Sequence, residues 1–171
     1  MRSEYIFQKA EGALGRHDTR DPFAIARESG VRVYFREDFK RLKGMYSVIH
    51  GNRCIFINGN LPGHVRRIVC AHELGHDELH RELTPDTVFQ EYTLYDMKNR
   101  SEYDANVYAA HLLLDRDEVL RLARGGYDAF QIAAEMGTDI NLLLIKINEM
   151  GRQGYELDLP YIPRGDFLKE G

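Results

Sequence analysis

The chain has 171 residues, of which 43% are hydrophobic and 29% are charged, and its formal net charge is −4. This composition is typical of a folded globular protein, and the length suits one compact domain. A surface that binds nucleic acid usually carries a marked basic excess, so the charge argues against direct nucleic-acid binding.

Targeting signals are absent from the sequence pattern. No stretch approaches the roughly 20 apolar residues of a membrane-spanning helix, and residues 1–8 lack the apolar core of a secretion signal. We therefore expect a cytoplasmic protein with no membrane association. Cys54 and Cys70 do not form a Cys-x-x-Cys pair, and we expect both to be buried and reduced.

Two helices are predicted at the start of the chain. Ser3 can cap a first helix that runs to about residue 14, where Gly15 is a stop signal. The dipeptide Asp21-Pro22 is typical of the N-cap and first position of a helix, and Gly30 ends this second helix.

A small sheet is expected next. Alternating or β-rich segments predict three strands, at residues 31–35, 45–49 and 53–57. Gly51-Asn52 is a tight-hairpin pair between the last two strands. We expect the three strands to form an antiparallel sheet beside the helix that follows.

The rest of the chain is predicted to be mostly helical. Pro62 opens a long helix that reaches about Glu82, and residues 86–100, which show no period, are expected to form a loop. Further helices are predicted at 102–114, 115–123, 127–135 and 139–150. We expect residues 1–150 to form a single domain, with the 127–150 helix pair as a helix-turn-helix-like appendage and residues 151–171 as a C-terminal tail.

The long helix carries the pattern H-E-x-x-H in the segment His72-Glu73-Leu74-Gly75-His76. Residues i and i+4 lie on one face of a helix, so both imidazoles can bind one zinc ion. Glu73 is rotated by about 100° from His72 and can lie beside the metal as a general base. An amphipathic helix with hydrogen-bonded histidines is the alternative, but these two histidines continue an apolar stripe, where polar groups need partners.

A hydrolytic zinc site needs a third protein ligand. His80 lies roughly 12 Å along the helix from His72, too far to share one ion, and is expected to support the site at most. Glu102 is the better candidate, with Asn106 one turn later as a residue that can orient a ligand. Spacing alone leaves open that Glu102 is an ordinary glutamate favoured by the helix dipole. Asp104 is rotated by roughly 200° from Glu102 about the helix axis, so we expect it to face elsewhere.

Two motifs together resemble one protein family. The segment Cys70-Ala71-His72-Glu73-Leu74-Gly75-His76, followed by Glu102-Tyr103-Asp104-Ala105-Asn106-Val107-Tyr108-Ala109-Ala110, resembles the ImmA/IrrE family of bacterial and phage metallopeptidases. The chain departs from the family pattern at Tyr108, where phenylalanine is usual, and at Leu114-Asp115, where Met-Pro is usual. These differences affect helix packing and leave the ligand positions intact.

The resemblance implies a zincin-like α+β fold with one zinc ion. It assigns the zinc ligands to His72, His76 and Glu102, and the catalytic glutamate to Glu73. The reaction implied is peptide hydrolysis, in which zinc activates a water and Glu73 accepts its proton. The substrate implied is a specific regulatory protein, a helix-turn-helix repressor of a phage or mobile element. The strands that precede the long helix suggest how it is held, because an extended peptide can pair with an exposed sheet edge.

A second hypothesis is a regulatory protein that binds a protein or DNA partner, with a structural or vestigial zinc site. Residues 131–137 and 141–148 faintly resemble a helix-turn-helix, yet Lys146 is the one basic residue of the second helix. Phosphate contact normally needs more positive charge, and a structural zinc more often has four Cys or His ligands. The sequence therefore favours the peptidase.

Overall fold

The structure, a computed structural model, describes residues 2–81, 89–91, 95 and 99–160, with the backbone alone for 89–91. Within these residues the helices are α1 (Arg2–His17), α2 (Pro22–Glu28), α3 (Gly63–His80), α4 (Arg100–Leu113), α5 (Arg116–Arg124), α6 (Ala129–Glu135) and α7 (Ile140–Arg152). The strands are β1 (Arg32–Arg36), β2 (Gly44–Ile49), β3 (Asn52–Asn58) and β4 (Phe89–Glu91). The predicted α+β class, mostly helical with a small sheet beside α3, is confirmed.

Helix starts follow the capping residues closely. Aspartate side chains accept backbone N–H groups at the N-caps of four helices, at Asp21, Asp115, Asp128 and Asp139. These caps satisfy N–H groups that have no partner inside the helix. The helix predicted to begin at residue 102 begins at Arg100 instead, because Asn99 is its N-cap and accepts from the Ser101 N–H.

The first helix is longer than predicted. It passes Gly15 and ends at His17, and Asp18 then adopts a φ of 50°. A glycine inside a helix costs only about 1 kcal/mol, which packing readily offsets. Here the buried Ile6, Ala10 and Ala13 hold α1 against the body of the protein.

The sheet has the order β1-β3-β2-β4, which corrects the prediction in two respects. First, β1 pairs with β3 in parallel, with Val33 opposite Ile55, so the sheet is mixed. The seven-residue connection 37–43 is long enough to pass the end of β3 and place β2 on its far side. Second, β4 adds a fourth strand within residues 86–100, where a loop was predicted; most of that stretch lies outside the described residues.

The predicted hairpin between β2 and β3 is confirmed, with the turn shifted by one residue. Ile49 pairs with Asn52, so His50 and Gly51 form the two-residue loop, with φ of 48° and 76°. Two successive positive φ values are typical of a type I′ turn, which matches the twist of the flanking strands.

The sheet is fixed to α3 by a buried carboxylate. Asp77 of α3 accepts hydrogen bonds of 2.7 Å from both the Tyr46 hydroxyl of β2 and Arg53 Nη1 of β3. Burial and the Asp77 carboxylate together raise the pKa of Tyr46. These bonds hold the two central strands in one position relative to α3.

The helical half packs around α4, which contacts α3, α1 and α7. The predicted helix pair is α6 and α7, and Lys146 of α7 is buried, so this side chain is not available to a phosphate. Cys54 and Cys70 are both buried free thiols, as predicted. None of the described helices is both long enough and apolar enough to cross a bilayer.

Candidate metal centre

The candidate centre lies beside a close approach of α3 and α4. A Cβ atom built on Gly75 of α3 would lie 2.9 Å from Ala105 Cα and 3.1 Å from Ala105 O of α4. No side chain fits at this position, so glycine facing alanine lets the two backbones meet. The contact places Glu102, almost one turn before Ala105, against the histidine face of α3.

Three side chains converge at this crossing. His72 Nε2 lies 3.1 Å from His76 Nε2 and 3.1 Å from Glu102 Oε2, and His76 Nε2 lies 3.5 Å from Glu102 Oε1. All three ligand atoms fall within 4.8 Å of one another. Both histidines are fully buried, and Glu102 is only slightly exposed.

These distances fit a metal ion. A tetrahedral ion with nitrogen and oxygen ligands at about 2.0–2.1 Å spaces its ligands about 3.3 Å apart. The separations of 3.1–3.5 Å match this spacing. Two imidazole nitrogens and one carboxylate also leave a fourth position open, which is typical of hydrolytic centres.

A hydrogen bond fixes the orientation of His72. Its Nδ1 lies 2.9 Å from the buried Asn106 Oδ1, and an amide oxygen can only accept. The proton is therefore on Nδ1, and Nε2 presents its lone pair to the cluster. Sequence spacing predicted this supporting position for Asn106.

The charge states also suit cation binding. Burial, the largest cause, lowers the pKa of His76 to about 4, so its imidazole is neutral at pH 7. Burial acts to raise the pKa of Glu102, but its close contacts with the His72 and His76 imidazoles outweigh it and hold this pKa well below its usual range. Neutral imidazoles and an ionised carboxylate are the forms in which these groups bind metals.

Glu73 follows His72 on α3 and is fully buried on the side that faces the sheet. A Cβ built on Gly44, at the start of β2, would overlap Val69 and lie 2.5 Å from Glu73 Oε1. The absence of a side chain at Gly44 therefore makes room for the Glu73 carboxylate. Sequence reasoning did not identify Gly44, because the glycine is significant only through a contact with a residue 29 positions away.

His80 and Asp104 form a second buried pair behind the cluster. His80 Nδ1 lies 3.1 Å from His76 Nδ1, and His80 Nε2 lies 3.7 Å from Asp104 Oδ2. Asp104 also forms an ion pair with Arg2 of α1. Asp104 is not part of the three-residue cluster, and its contact with His80 was not predicted.

A tyrosine hydroxyl could in principle stabilise an oxyanion, but two tyrosines that precede or open α4, Tyr95 and Tyr103, donate to carboxylates elsewhere. The Tyr103 hydroxyl donates to the buried Glu149 at 2.8 Å, and burial beside that carboxylate raises the Tyr103 pKa to about 12. The Tyr95 hydroxyl donates to Asp139. Tyr92 is outside the described residues.

This chain matches one family model and one phage protein. Residues 26–148 match the family model Peptidase_M78, described as the IrrE N-terminal-like domain. The chain is also 30% identical over 148 residues to the uncharacterized immunity region protein 2 of Bacillus phage phi105. That alignment covers 85% of this chain and 92% of the phage protein.

Proposed function

Because this chain belongs to the Peptidase_M78 family of IrrE N-terminal-like domains, we propose that it is a zinc-dependent endopeptidase that cleaves one specific regulatory protein. The observation that carries the proposal is the convergence of His72, His76 and Glu102 on one point, with Glu73 on the same helix. His72 and His76 Nε2 and the Glu102 carboxylate would hold the ion. Zinc, when bound, would supply a Lewis acid that makes water more acidic and polarises a peptide carbonyl.

The protein's own residues then have separate roles. Glu73 accepts the proton of the attacking water and passes it to the leaving amine. Its burial beside Gly44 limits the positions that the carboxylate can take. Asn106 keeps the His72 ring in the metal-binding orientation.

The substrate is held in an extended form at the β2 side of the sheet. β4 pairs with residues 44–46 of β2 in antiparallel register, with Glu91 opposite Gly44. This pairing makes β4, and not β2, the edge strand on this side of the described sheet, so an extended substrate would add to β4, one strand away from the position that faces Glu73.

The proposed substrate class is a transcriptional repressor of the helix-turn-helix type. The phage relative is named as an immunity region protein, which supports a partner connected with phage immunity. Family resemblance supports a repressor over general peptide. A peptidase restricted to one partner would also leave other cellular proteins uncut.

The deciding experiment compares Glu73→Gln with Glu78→Gln. Glu78 lies on the same helix but pairs with Lys9 at 3.1 Å, away from the cluster. Glu73→Gln should keep one zinc per chain and lose cleavage, because an amide cannot accept the proton. Glu78→Gln should keep both. Cleavage by Glu73→Gln at the wild-type rate would contradict the general-base role.

Substrate selectivity needs its own assay. The zinc-loaded protein is incubated with unfolded casein and with repressors encoded by neighbouring genes. We expect cleavage of one repressor at a defined bond, absent with Glu73→Gln, and little cleavage of casein. Rapid, unselective degradation of casein would contradict a dedicated partner. A zinc protein that binds a repressor but cuts nothing would favour the regulatory binding function instead.

A further inference from the structure

We propose that His80 and Asp104 are positioning residues that hold His76 in the orientation and protonation form needed to bind the metal. The inference rests on the proposed function, since it assumes that His76 Nε2 is a zinc ligand. It extends that function to a pair of side chains that do not touch the ion.

The contacts form a continuous buried chain. His76 Nδ1 lies 3.1 Å from His80 Nδ1, and His80 Nε2 lies 3.7 Å from Asp104 Oδ2. His76, His80 and Asp104 are each at most 3% exposed. Asp104 is fixed from the other side by Arg2, whose Nε lies 2.9 Å from Oδ1 and 2.7 Å from Oδ2.

The positions of the protons follow from these contacts. If His76 Nε2 offers its lone pair to a metal, Nδ1 must carry the ring proton and donate it to His80 Nδ1. His80 then accepts at Nδ1 and carries its own proton on Nε2, which faces the Asp104 carboxylate. A carboxylate at this end favours that arrangement over the opposite one, in which His76 Nε2 would be protonated and unable to bind metal.

The two histidine ligands are therefore supported differently. His72 donates to an amide oxygen of Asn106, whereas His76 donates to an imidazole that is itself backed by a carboxylate. Residues that support a metal ligand in this way typically contribute about 10–100-fold to metal affinity. A purely structural role, in which Asp104 only anchors α1 through Arg2, would leave metal affinity unchanged while the fold is intact.

The surroundings of His80 allow a sharp test. A cavity of about 180 Å³ borders the pair and is lined by Arg2, Tyr5, Ile6, Leu79, His80 and Asp104. Removing the His80 ring enlarges this space toward His76. Free imidazole can then enter the site and replace the missing ring.

Zinc dissociation constants are measured by competition with a chromophoric chelator for the wild type, His80→Ala, Asp104→Asn and His64→Ala. His64 is an exposed histidine at the start of the same helix and serves as the matched control. We expect about 10–100-fold weaker zinc binding for His80→Ala, a smaller loss for Asp104→Asn, and no change for His64→Ala. Imidazole should strengthen zinc binding by His80→Ala but not by the wild type.

Thermal unfolding of the metal-free proteins shows which variants are folded, and His80→Gln replaces His80→Ala if the latter does not fold. Wild-type zinc affinity in the folded His80 variant would overturn the proposal. If His80→Ala binds zinc more weakly and imidazole does not restore the affinity, the defect lies in packing and the proposal is overturned. Where His80→Gln is used instead, weaker zinc binding by this variant together with wild-type binding by Asp104→Asn would overturn it for the same reason. Failure of the wild type to bind zinc would instead refute the proposed function.

Discussion

Lys146 is a buried cation in the helical core, only 2% exposed, with Nζ 3.2 Å from His111 Nδ1. Burial, assisted by the positive charge of Arg20, lowers the pKa of Lys146 to about 8. Burial, and then the charge of Lys146, lowers the pKa of His111 to about 3, so His111 is neutral and accepts the hydrogen bond. A charged Lys146 therefore costs stability at pH 7.

The sign of the pH dependence follows from this lowered pKa. Between pH 8 and about 10.5 the unfolded chain binds more protons at this lysine than the folded protein, so its contribution to stability rises with pH. Below pH 8 the cost is fully present, on the order of 3 kcal/mol. Burial raises the pKa of the Cys70 thiol, which destabilises the fold above about pH 9 in every variant.

We therefore expect Lys146→Met to be more stable than the wild type at pH 7 by about 1–4 kcal/mol, with the difference shrinking toward pH 10. Urea unfolding at pH 7, 9 and 10 measures it, and the comparison of two proteins cancels the effect of Cys70. Lys9→Met is the control, since Lys9 forms a partly exposed pair with Glu78 and should change stability by less than about 1 kcal/mol. A Lys146→Met protein that is less stable at pH 7 would contradict the account.

The sequence could predict the cluster residues but not these buried polar contacts. His72 and His76 follow from helical spacing within α3, and Asn106 follows from its place one turn after Glu102, whereas Glu102 itself was assigned by the family resemblance. Asp104 contacts Arg2, which lies 102 residues earlier in the sequence, and the spacing of residues within one helix cannot predict such a contact. Nothing in the sequence indicated the burial of Lys146, because charged residues are seldom fully buried.

At the scale of elements, Gly44 connects the sheet to the candidate general base. Replacing it with alanine forces a methyl group against Val69 and to within 2.5 Å of Glu73 Oε1, so the carboxylate must move. We expect Gly44→Ala to retain metal and lose up to about 100-fold in cleavage rate, since small displacements of a reacting group are costly. Turnover and metal content are measured on the same preparation.

Gly63→Ala is the matched control for this substitution. A Cβ at Gly63 meets only Arg66 Nη2, at 3.9 Å. Its turnover should equal that of the wild type. Equal turnover in Gly44→Ala as well would mean that the Glu73 carboxylate does not depend on this gap in β2.

The crossing of α3 and α4 depends on Gly75. A methyl group there would meet the Ala105 backbone at 2.9 Å, and backbone atoms cannot rotate away as a side chain can. We expect Gly75→Ala to lower the free energy of unfolding by about 1–3 kcal/mol and to weaken metal binding, because the helices separate and carry Glu102 away from the histidines. Denaturant unfolding and chelator competition report the two effects.

Gly15→Ala provides the contrast, since no atom lies within 4 Å of the added methyl group. Alanine is favoured over glycine inside a helix by about 1 kcal/mol, so this variant should be as stable as the wild type or more stable. Unchanged metal affinity in Gly75→Ala would show that the cluster tolerates a wider helix crossing.

Strand segments and the hairpin followed from alternation and turn residues, but the position of β1 did not. Hairpins pair neighbours in sequence, so a local pattern predicts them. Whether β1 pairs with β2 or with β3 depends on the path of the connection 37–43, and β-rich residues favour both arrangements equally. The strand β4 has only three residues and pairs with β2 across more than 40 positions, so no periodicity reveals it.

At the scale of the whole molecule, one buried carboxylate ties three helices together. Glu149 of α7 is fully buried and accepts from Tyr103 of α4 at 2.8 Å, from Arg152 at 2.9 Å, and from Ser3 of α1. Removing it leaves a tyrosine hydroxyl and a guanidinium without their acceptor. We expect Glu149→Ala to destabilise the protein by about 3 kcal/mol.

Chemical denaturation of Glu149→Ala and of Glu135→Ala tests this expectation. Glu135 is exposed at the end of α6, and its removal should change stability by about 0.5 kcal/mol or less. Similar stabilities for the two variants would mean that apolar packing of α1 and α7 on α4 suffices to hold the three helices.

The contacts of α1 also have a consequence for how the chain is made. Arg2 can pair with Asp104, and Ser3 with Glu149, only after these partners have been synthesised, 102 and 146 residues later. At about 5–20 residues per second, a ribosome needs roughly 5–20 s to reach the first partner and roughly 7–30 s to reach the second. During that interval the apolar side of α1, with Ile6, Ala10 and Ala13, is uncovered on the nascent chain and accessible to chaperones.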